Sequence, residues 1–325
     1  MAETIEHQGM AADNTEIWLD QVARPRDYNE LDWVNARSLL HPVVELADPT
    51  GEELLIDIGT GTGAVLRYVA PHVRHAIGVD VSKAMLAQIP ADSAPNISLA
   101  LADMRGHTAF PDGYADIVTT RMMLHDLLNP KGAIEESWRL VRPGGKLVAA
   151  EYVTDVCSPA AVEQTDAFEA NLHPSSLIDE QHFGAPSEAL VAFHRHLFGL
   201  KKEPDRFLWT AADFTELFSE VCGTDGTVSV SYSMTPFNSV GNWLGKSGFG
   251  TAVKQQGLLA CLALPPDLQQ ELGLTITVHG SPVNPADQPE WTAQYAAASP
   301  EARETMGIDA KIHRVFANVM AEKKA

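Results

Sequence analysis

The 325-residue chain is poor in cysteine, and its three, Cys157, Cys222 and Cys261, stand far apart with no CxxC spacing. An odd, scattered set builds no disulfide framework and lacks the paired spacing of a zinc site. No run of about 18 apolar residues occurs, so no candidate for a bilayer-spanning helix is present. The opening Met1-Ala2-Glu3-Thr4-Ile5-Glu6-His7 has neither a basic stretch nor an apolar one, which leads to the expectation of a cytoplasmic protein. Basic side chains are scarce: 23 Lys and Arg face 43 Asp and Glu, for a formal charge of -20. A field of that sign repels phosphate backbones and anionic lipid, so neither nucleic acid nor a membrane is an expected partner. Tandem repeats and low-complexity tracts are also missing.

What the chain does have is concentrated in Leu54-Leu55-Ile56-Asp57-Ile58-Gly59-Thr60-Gly61-Thr62-Gly63, an apolar run with one acid near its end that breaks into three glycines at alternate positions. A run without polar alternation is the pattern of a strand covered on both faces. Glycines directly after it let the backbone turn sharply and let a ligand approach where a Cβ would collide. Ala64-Val65-Leu66-Arg67-Tyr68-Val69-Ala70 then reads as a helix stopped by Pro71, with its N-terminal N–H groups facing the same crevice. This stretch is expected to hold a ligand with ribose or carboxylate oxygens.

Strands and helices alternate from there. His75-Ala76-Ile77-Gly78-Val79-Asp80 is a second apolar strand ending in an acid. A right-handed crossover puts Asp80 on the sheet edge of the glycine turn, where a carboxylate accepts from both hydroxyls of a ribose. Ser82 suits the N-cap of the following helix. Ile97-Ser98-Leu99-Ala100-Leu101-Ala102-Asp103 forms a third strand and Ala115-Asp116-Ile117-Val118-Thr119-Thr120 a fourth. A helix over 130–140 and an Arg142-Pro143-Gly144-Gly145 turn lead to a fifth, Lys146-Leu147-Val148-Ala149-Ala150-Glu151. Five strands alternating with helices indicate a doubly wound, mostly parallel α/β sheet. Before it, the apolar spacing within 16–46 predicts two amphipathic helices interrupted at Arg24-Pro25-Arg26.

Four stretches, in order, resemble the successive motifs of class I S-adenosylmethionine-dependent methyltransferases. They are Asp57-Ile58-Gly59-Thr60-Gly61-Thr62-Gly63, Gly78-Val79-Asp80-Val81-Ser82-Lys83-Ala84-Met85-Leu86, Ala102-Asp103-Met104 and Leu140-Val141-Arg142-Pro143-Gly144-Gly145-Lys146-Leu147. The resemblance is to the group that includes ubiquinone, sterol and natural-product small-molecule enzymes. Gly59-x-Gly61-x-x-Ala64 and the acid after the second strand fit a dinucleotide site equally. Asp57, Asp103 and the Arg-Pro-Gly-Gly turn are features that a dehydrogenase does not need. The resemblance implies a Rossmann-like, seven-stranded methyltransferase sheet, S-adenosyl-L-methionine as cofactor and a small molecule as acceptor. It implies that the backbone at Gly59 and Gly61 lies against the methionine and ribose, and that Asp57 holds the cofactor's amino group, directly or through water. Asp80 would take the ribose diol, and Asp103 with the N–H of Met104 would address the adenine amine. Arg121, at the end of the fourth strand, joins this cofactor-binding set. Asp57 as a strand-end cap and Asp103 as a turn residue are the plain structural alternatives.

Methyl transfer is an in-line displacement that requires alignment, exclusion of water and, for a hydroxyl, removal of a proton. His125 follows the fourth strand in Arg121-Met122-Met123-Leu124-His125-Asp126 and is the candidate base, because an imidazole ordinarily titrates near neutrality. Glu151, ending the adjacent fifth strand, is its candidate partner. In the family, a His at this place, sometimes paired with an acid after the fifth strand, resembles the base of some sugar and natural-product O-methyltransferases. A His that only packs or caps the next helix is the alternative, and Asp126 is expected to be an N-cap or a solvated acid. The expected activity is O-methylation; a cyclase-like enzyme that retains the cofactor, or a cofactor-binding sensor, are the other readings.

Residues 1–48 are expected to form an N-terminal helical segment, 49–154 the cofactor-binding half and 155–205 a helical lid. His173, His182, His194 and His196 are read as lid surface or substrate lining, with no metal site, since His194 and His196 point to different sides of a helix. Met122, Met123, Phe183, Phe193, Phe198 and Trp209 are candidate lining. In 206–280, Thr210 caps a helix with Asp213 at N3, a sixth strand covers 227–234, and a helical insertion leads to Leu274-Thr275-Ile276-Thr277-Val278 as the seventh strand. In 281–325, the proline-rich 282–300 with Trp291 is expected on the surface, over the site or at a subunit contact, which leaves a homodimer open. Ile308, Ile312, Val315, Phe316 and Val319 recur at helical spacing and predict a C-terminal amphipathic helix.

Overall fold

Burial without alternation makes the first strand the centre of a sheet: Leu55, Ile56 and Ile58 of β1 (Leu54–Ile58) are all fully buried. The structure, a computed structural model, describes residues 28, 29, 31, 33–200, 209–236, 238–246 and 250–325. Within them α1 (Arg37–Ala47) precedes β1. The chain then runs through α2 (Ala64–Val69), β2 (His75–Asp80), α3 (Lys83–Leu86), β3 (Ile97–Leu101), β4 (Ala115–Arg121), α4 (Pro130–Leu140) and β5 (Val141–Val153). The helix expected before Arg24 lies outside the described residues. Ser82 caps α3 by accepting from the Met85 N–H, and Asn129 caps α4 by accepting from that of Gly132.

The chain next forms β6 (Val156–Cys157), α5 (Pro159–Glu169), β7 (Phe183–Gly184), α6 (Glu188–Leu200), α7 (Ala211–Cys222) and β8 (Gly226–Met234). Thr210 and Asp213 close a capping box on α7, as their spacing predicts. The seven-stranded sheet has the order β3-β2-β1-β4-β5-β13-β8, where β13 is Val315–Lys323. The first five strands are parallel; β13 runs antiparallel to both β5 and β8.

Two expectations are overturned here. The seventh strand is β13 rather than 274–278, and the chain ends in strand rather than in an amphipathic helix. Val315, Phe316, Ala317 and Val319 are buried because β13 is flanked by strands on both sides and covered on both faces. A strand so placed has no polar face, so its apolar residues match a helical spacing by coincidence. Everything between residues 235 and 314 is therefore one insertion in the β8–β13 hairpin. It holds β9 (Asn238–Ser239), α8 (Val240–Lys246), α9 (Gly250–Leu262), α10 (Pro266–Glu271) and β10 (Thr275–Val278). It continues with β11 (Ser281–Pro282), α11 (Gln288–Ala297), α12 (Pro300–Thr305) and β12 (Ile308–Ile312). Its strands pair as a separate sheet, β11-β10-β12-β9. The proline-rich 282–300 is also more than a surface segment, because Tyr295 of α11 is fully buried in the insertion's own core, with Trp291 packed against it.

One face of the main sheet packs on α4 and α7 through Ile134, Trp138, Phe214 and Phe218, and the other on α1 and α2 through Leu39, Leu40, Leu66 and Val69. Among the described residues no helix is long and apolar enough to cross a membrane. Phe316→Ala is expected to lower stability by about 3–5 kcal/mol, as for a large side chain removed from a sheet core. Denaturant unfolding measures this, and a loss under about 1 kcal/mol would instead fit a peripheral terminal element.

Candidate active site

The glycine turn stands where β1 leaves the sheet. Gly59, Gly61 and Gly63 have φ of 65°, 56° and 77°, in the region that side chains avoid. A Cβ on Gly59 would also lie 2.5 Å from Cγ of Met123, so this position needs glycine for space as well as for conformation. Asp57, 2% exposed, sits beneath the turn: its Oδ2 accepts from the Thr60 hydroxyl at 2.6 Å and its Oδ1 from the Thr119 hydroxyl at 2.8 Å. It thus ties the turn to β4. Burial pushes its carboxyl up to about 6 from 3.8, against the pull of the two hydroxyls and of the Arg121 charge.

Asp80, at the end of β2, closes the turn from the other side. Its Oδ2 accepts from the Gly61 N–H at 2.8 Å and its Oδ1 from the Ser82 N–H at 2.8 Å. Burial raises its pKa, and the side chain stays partly exposed. Asp103 follows β3 at the same sheet edge but is held by Arg105, whose Nη2 lies 2.6 Å from Oδ2 and whose Nε bonds both oxygens. These bonds lower the Asp103 pKa. The Met104 side chain is buried in the sheet core.

The geometry brings His125 and Glu151 together. Met122 leaves β4 with φ of 56°, an uncommon conformation for an unbranched side chain, and starts a 3-10 turn over Leu124–Asp126. Glu151, 1% exposed, accepts from the Met123 and Leu124 N–H groups at 2.8 and 2.7 Å through Oε1. Its Oε2 lies 2.7 Å from His125 Nδ1. Asp126 Oδ1 lies 3.6 Å from His125 Nε2, and the Asp126 side chain is only 11% exposed. Asp126 is therefore neither the solvated acid nor the N-cap expected, since Asn129 caps α4. A carboxylate on Nδ1 holds the imidazole in one orientation.

Arg121 is buried on the α1 side of the sheet. Its Nη2 donates to the Val34 carbonyl at 2.9 Å, while its Nη1 is buried without a hydrogen-bond partner. Burial lowers its pKa, and the charges of Asp57 and Glu151 act in the opposite sense.

Several polar residues at the end of β5 were not anticipated. The Tyr152 hydroxyl is 2.8 Å from His194 Nδ1, and the Arg314 guanidinium lies 4.0 Å from the Trp243 ring centre and 5.6 Å from that of Tyr152. Tyr152, His194 and Arg314 share a cavity with Asp155, Glu271 and His313. His194 is thus buried rather than on the lid surface. Burial, helped by the Arg314 charge, pushes it down to about 3, so it stays neutral. The signal was legible: Leu190, His194 and Leu197 fall at i, i+4 and i+7 on the apolar face of α6. Arg314 carried no such signal, because only the folded insertion returns it to β5.

Of the lining candidates, Phe183 stacks on Tyr232 and Trp209 on Phe214, and Phe193 joins the insertion core. Met122 packs with the α1 cluster and Met123 alone touches the glycine turn, while the Phe198 side chain lies outside the described residues. Among the described residues no group of His, Cys, Asp and Glu could hold a metal.

Asp57 supplies a titration test. Its pKa of about 6 exceeds the ordinary 3.8, so between those values the folded state keeps a proton that the unfolded chain loses. Stability therefore falls as pH rises through this window, by about 3 kcal/mol from this group. Asp57→Asn is expected to flatten that part of the profile in urea unfolding at fixed ionic strength; an unchanged slope would remove Asp57 as its source.

The site suits a nucleoside with an amino-acid arm: a backbone cradle, a partly exposed carboxylate with free lone pairs at Asp80, and an unpaired buried guanidinium nitrogen. A family model described as a methyltransferase domain matches residues 56–149. The demethylmenaquinone methyltransferase of Tropheryma whipplei (strain Twist) is 36% identical over 104 residues, 31% of this chain and 42% of that one. The nocamycin O-methyltransferase of Saccharothrix syringae is 27% identical over 177 residues, 46% of this chain and 60% of that one. The chain thus spans about half the length of these relatives. The structure of YcgJ from Bacillus subtilis superposes with a TM-score of 0.60 at 16% identity, over 88% of this chain and 98% of that one, and so shares the fold. Residues 56–149 thus form a methyltransferase domain, and the glycine turn and sheet order are similar to those of class I S-adenosylmethionine-dependent methyltransferases, which take S-adenosylmethionine as cofactor.

Proposed function

We propose that the protein transfers a methyl group to an oxygen of a small-molecule acceptor, with His125 as general base. The observation that carries this reading is the 2.7 Å contact between His125 Nδ1 and Glu151 Oε2 at the sheet edge beside the glycine turn. The O-methyltransferase named among the relatives supports oxygen as the target. The charge of -20 favours a neutral or partly apolar acceptor and disfavours nucleic acid. The reading extends to a cytoplasmic enzyme of natural-product chemistry.

When bound, S-adenosylmethionine supplies a methyl group already activated by its sulfonium. Gly59 and Gly61 offer backbone to the methionine and ribose, Asp80 accepts from the ribose hydroxyls, and Asp103 with Met104 addresses the adenine. Asp57 acts as a positioning residue, since its oxygens hold Thr60 and Thr119 rather than the ligand. Glu151 keeps the proton on His125 Nδ1, so Nε2 removes the acceptor's hydroxyl proton. The resulting imidazolium is stabilised by Glu151, with Asp126 3.6 Å from Nε2. The lid excludes water from the displacement.

Mass spectrometry with labelled S-adenosylmethionine and a panel of phenols, sugars, quinones and amines tests this directly. Methylated product and S-adenosylhomocysteine are expected in equal amounts. His125→Ala is expected to lower kcat by about 10²- to 10⁴-fold while cofactor affinity holds; an undiminished kcat would remove the base assignment. Asp80→Ala is expected to weaken cofactor binding by about 10- to 100-fold, the loss of charge-assisted hydrogen bonds to a diol. Calorimetry reads that change, and unaltered affinity would place the ribose elsewhere.

A further inference from the structure

We propose that the cavity at the end of β5 receives a carbonyl oxygen of the acceptor, so that the enzyme selects neutral hydroxy ketones in which an apolar body separates the carbonyl from the hydroxyl to be methylated. The inference rests on the O-methylation reading and deepens it by naming the acceptor class.

The cavity is built from parts of the chain that meet only in the folded protein. Tyr152 and the residues after it to Cys157 form one wall, Leu190 and His194 of α6 another, and Glu271, Leu272 and 312–315 of the insertion the rest. Its volume is about 20 Å³, room for one water-sized group. It therefore takes the tip of a ligand rather than a whole one.

Donors outnumber free acceptors in this cavity. Tyr152 and His194 are both neutral, since burial raises the pKa of the phenol and pushes that of the imidazole down to about 3. A neutral phenol and a neutral imidazole hold one polar proton each, and the pair uses one of them in the 2.8 Å bond between the hydroxyl and Nδ1. Neither has another hydrogen-bond partner among the described residues, so one O–H or N–H is left over whichever of the two donates. His194 is 8% exposed, and a donor so buried costs stability unless something accepts from it. The acids lining the cavity are engaged elsewhere. Glu271 accepts from the N–H and hydroxyl of Ser187, and Asp155 from the Ala211 N–H.

Arg314 adds a fixed positive charge. Tyr152 pairs with Phe316, so Arg314, two positions earlier, is on the same face of the sheet, where it stacks on Trp243. Its charge acts on both Tyr152 and His194. An oxygen that only accepts, at the negative end of a carbonyl dipole, fits a leftover donor beside such a charge; an ammonium does not. The space holds one oxygen, and Val156, Leu190, Leu272 and Ile312 offer nothing to the second oxygen of a carboxylate.

The position along β5 sets the length of the acceptor. Glu151, which holds His125, immediately precedes Tyr152, and Asp155 at the far side of the cavity is four residues on, at most about 14 Å along the chain. Side chains at 151 and 152 leave the strand on opposite faces, so an acceptor that engages both lies across the strand end. A fused ring pair spans such a gap.

Steady-state kinetics with two probes test the proposal: 6-hydroxy-1-tetralone and 5,6,7,8-tetrahydro-2-naphthol, which differ only in the carbonyl. The wild type is expected to methylate the ketone with a KM about 10-fold below that of the deoxygenated probe. Tyr152→Phe and His194→Leu are each expected to remove that preference, with the change falling on KM more than on kcat. Titration with S-adenosylhomocysteine reports which variants are folded. Equal KM values for the two probes in the wild type overturn the proposal, as does a preference that survives in either folded variant, the result for a cavity that holds only a water. Methylation of neither probe also overturns it. The O-methylation reading then survives if another hydroxyl acceptor of the panel is methylated, and falls with the proposal if none is.

Discussion

The buried carboxylate of Glu151 is the interaction on which the sheet edge depends. Taking a carboxylate out of water costs several kcal/mol unless its oxygens are satisfied inside the protein. Two backbone N–H groups and one imidazole nitrogen satisfy them here. Those N–H groups belong to the turn that follows Met122, so the bonds that make burial tolerable also shape that turn and orient His125. Asp57 repeats the device two strands away, with hydroxyls of Thr60 and Thr119 in place of backbone donors. Neither acid is hydrogen-bonded to Arg121, whose Nη2 donates to the Val34 carbonyl while its Nη1 is buried without a partner.

The position of β13 decides what surrounds this edge. Because it lies between β5 and β8 and runs against both, the insertion begins and ends beside the C-terminal end of β5. His313 and Arg314, the last residues before β13, therefore meet Tyr152, the neighbour of Glu151 in sequence. Thr235, the first residue after β8, is bonded to both: its hydroxyl accepts from the Arg314 N–H and its carbonyl lies 3.0 Å from His313 Nδ1. The base of the insertion is thus clamped at the mouth of the sheet, while its core takes in Leu190, Phe193 and Leu197 of α6.

The segment from α5 to Ser176 is joined to α1 as well as to the sheet. The Ser38 N–H donates to Glu169 at 2.7 Å, the Ser176 N–H donates to Glu45 at 3.1 Å, and Arg37 reaches Asn171 while its guanidinium lies 4.6 Å from the Phe168 ring centre. Helix α1 follows directly on the segment whose Val34 carbonyl receives Arg121. A continuous set of contacts thus runs from the end of β4 through α1 to α5 and the residues after it.

Local chemistry made much of this legible in advance. Unalternating apolar runs, alternate glycines and acids at strand ends located β1 to β5, the turn, Asp80 and the His125–Glu151 pair, because each of those signals acts within a few residues of chain. The caps at Ser82 and Thr210 belong to the same class. Tertiary structure decided the rest. A strand covered on both faces has no periodic signature, so β13 resembled a helix and 274–278 a member of the main sheet until pairing assigned them. Whether Asp57 faces a ligand or the turn, whether His194 is wet or buried, and which nitrogen of Arg121 lacks a partner all depend on groups that are distant in sequence. Residue type and spacing determined the chemistry available at the site; long-range packing determined which of those groups were left free to use it.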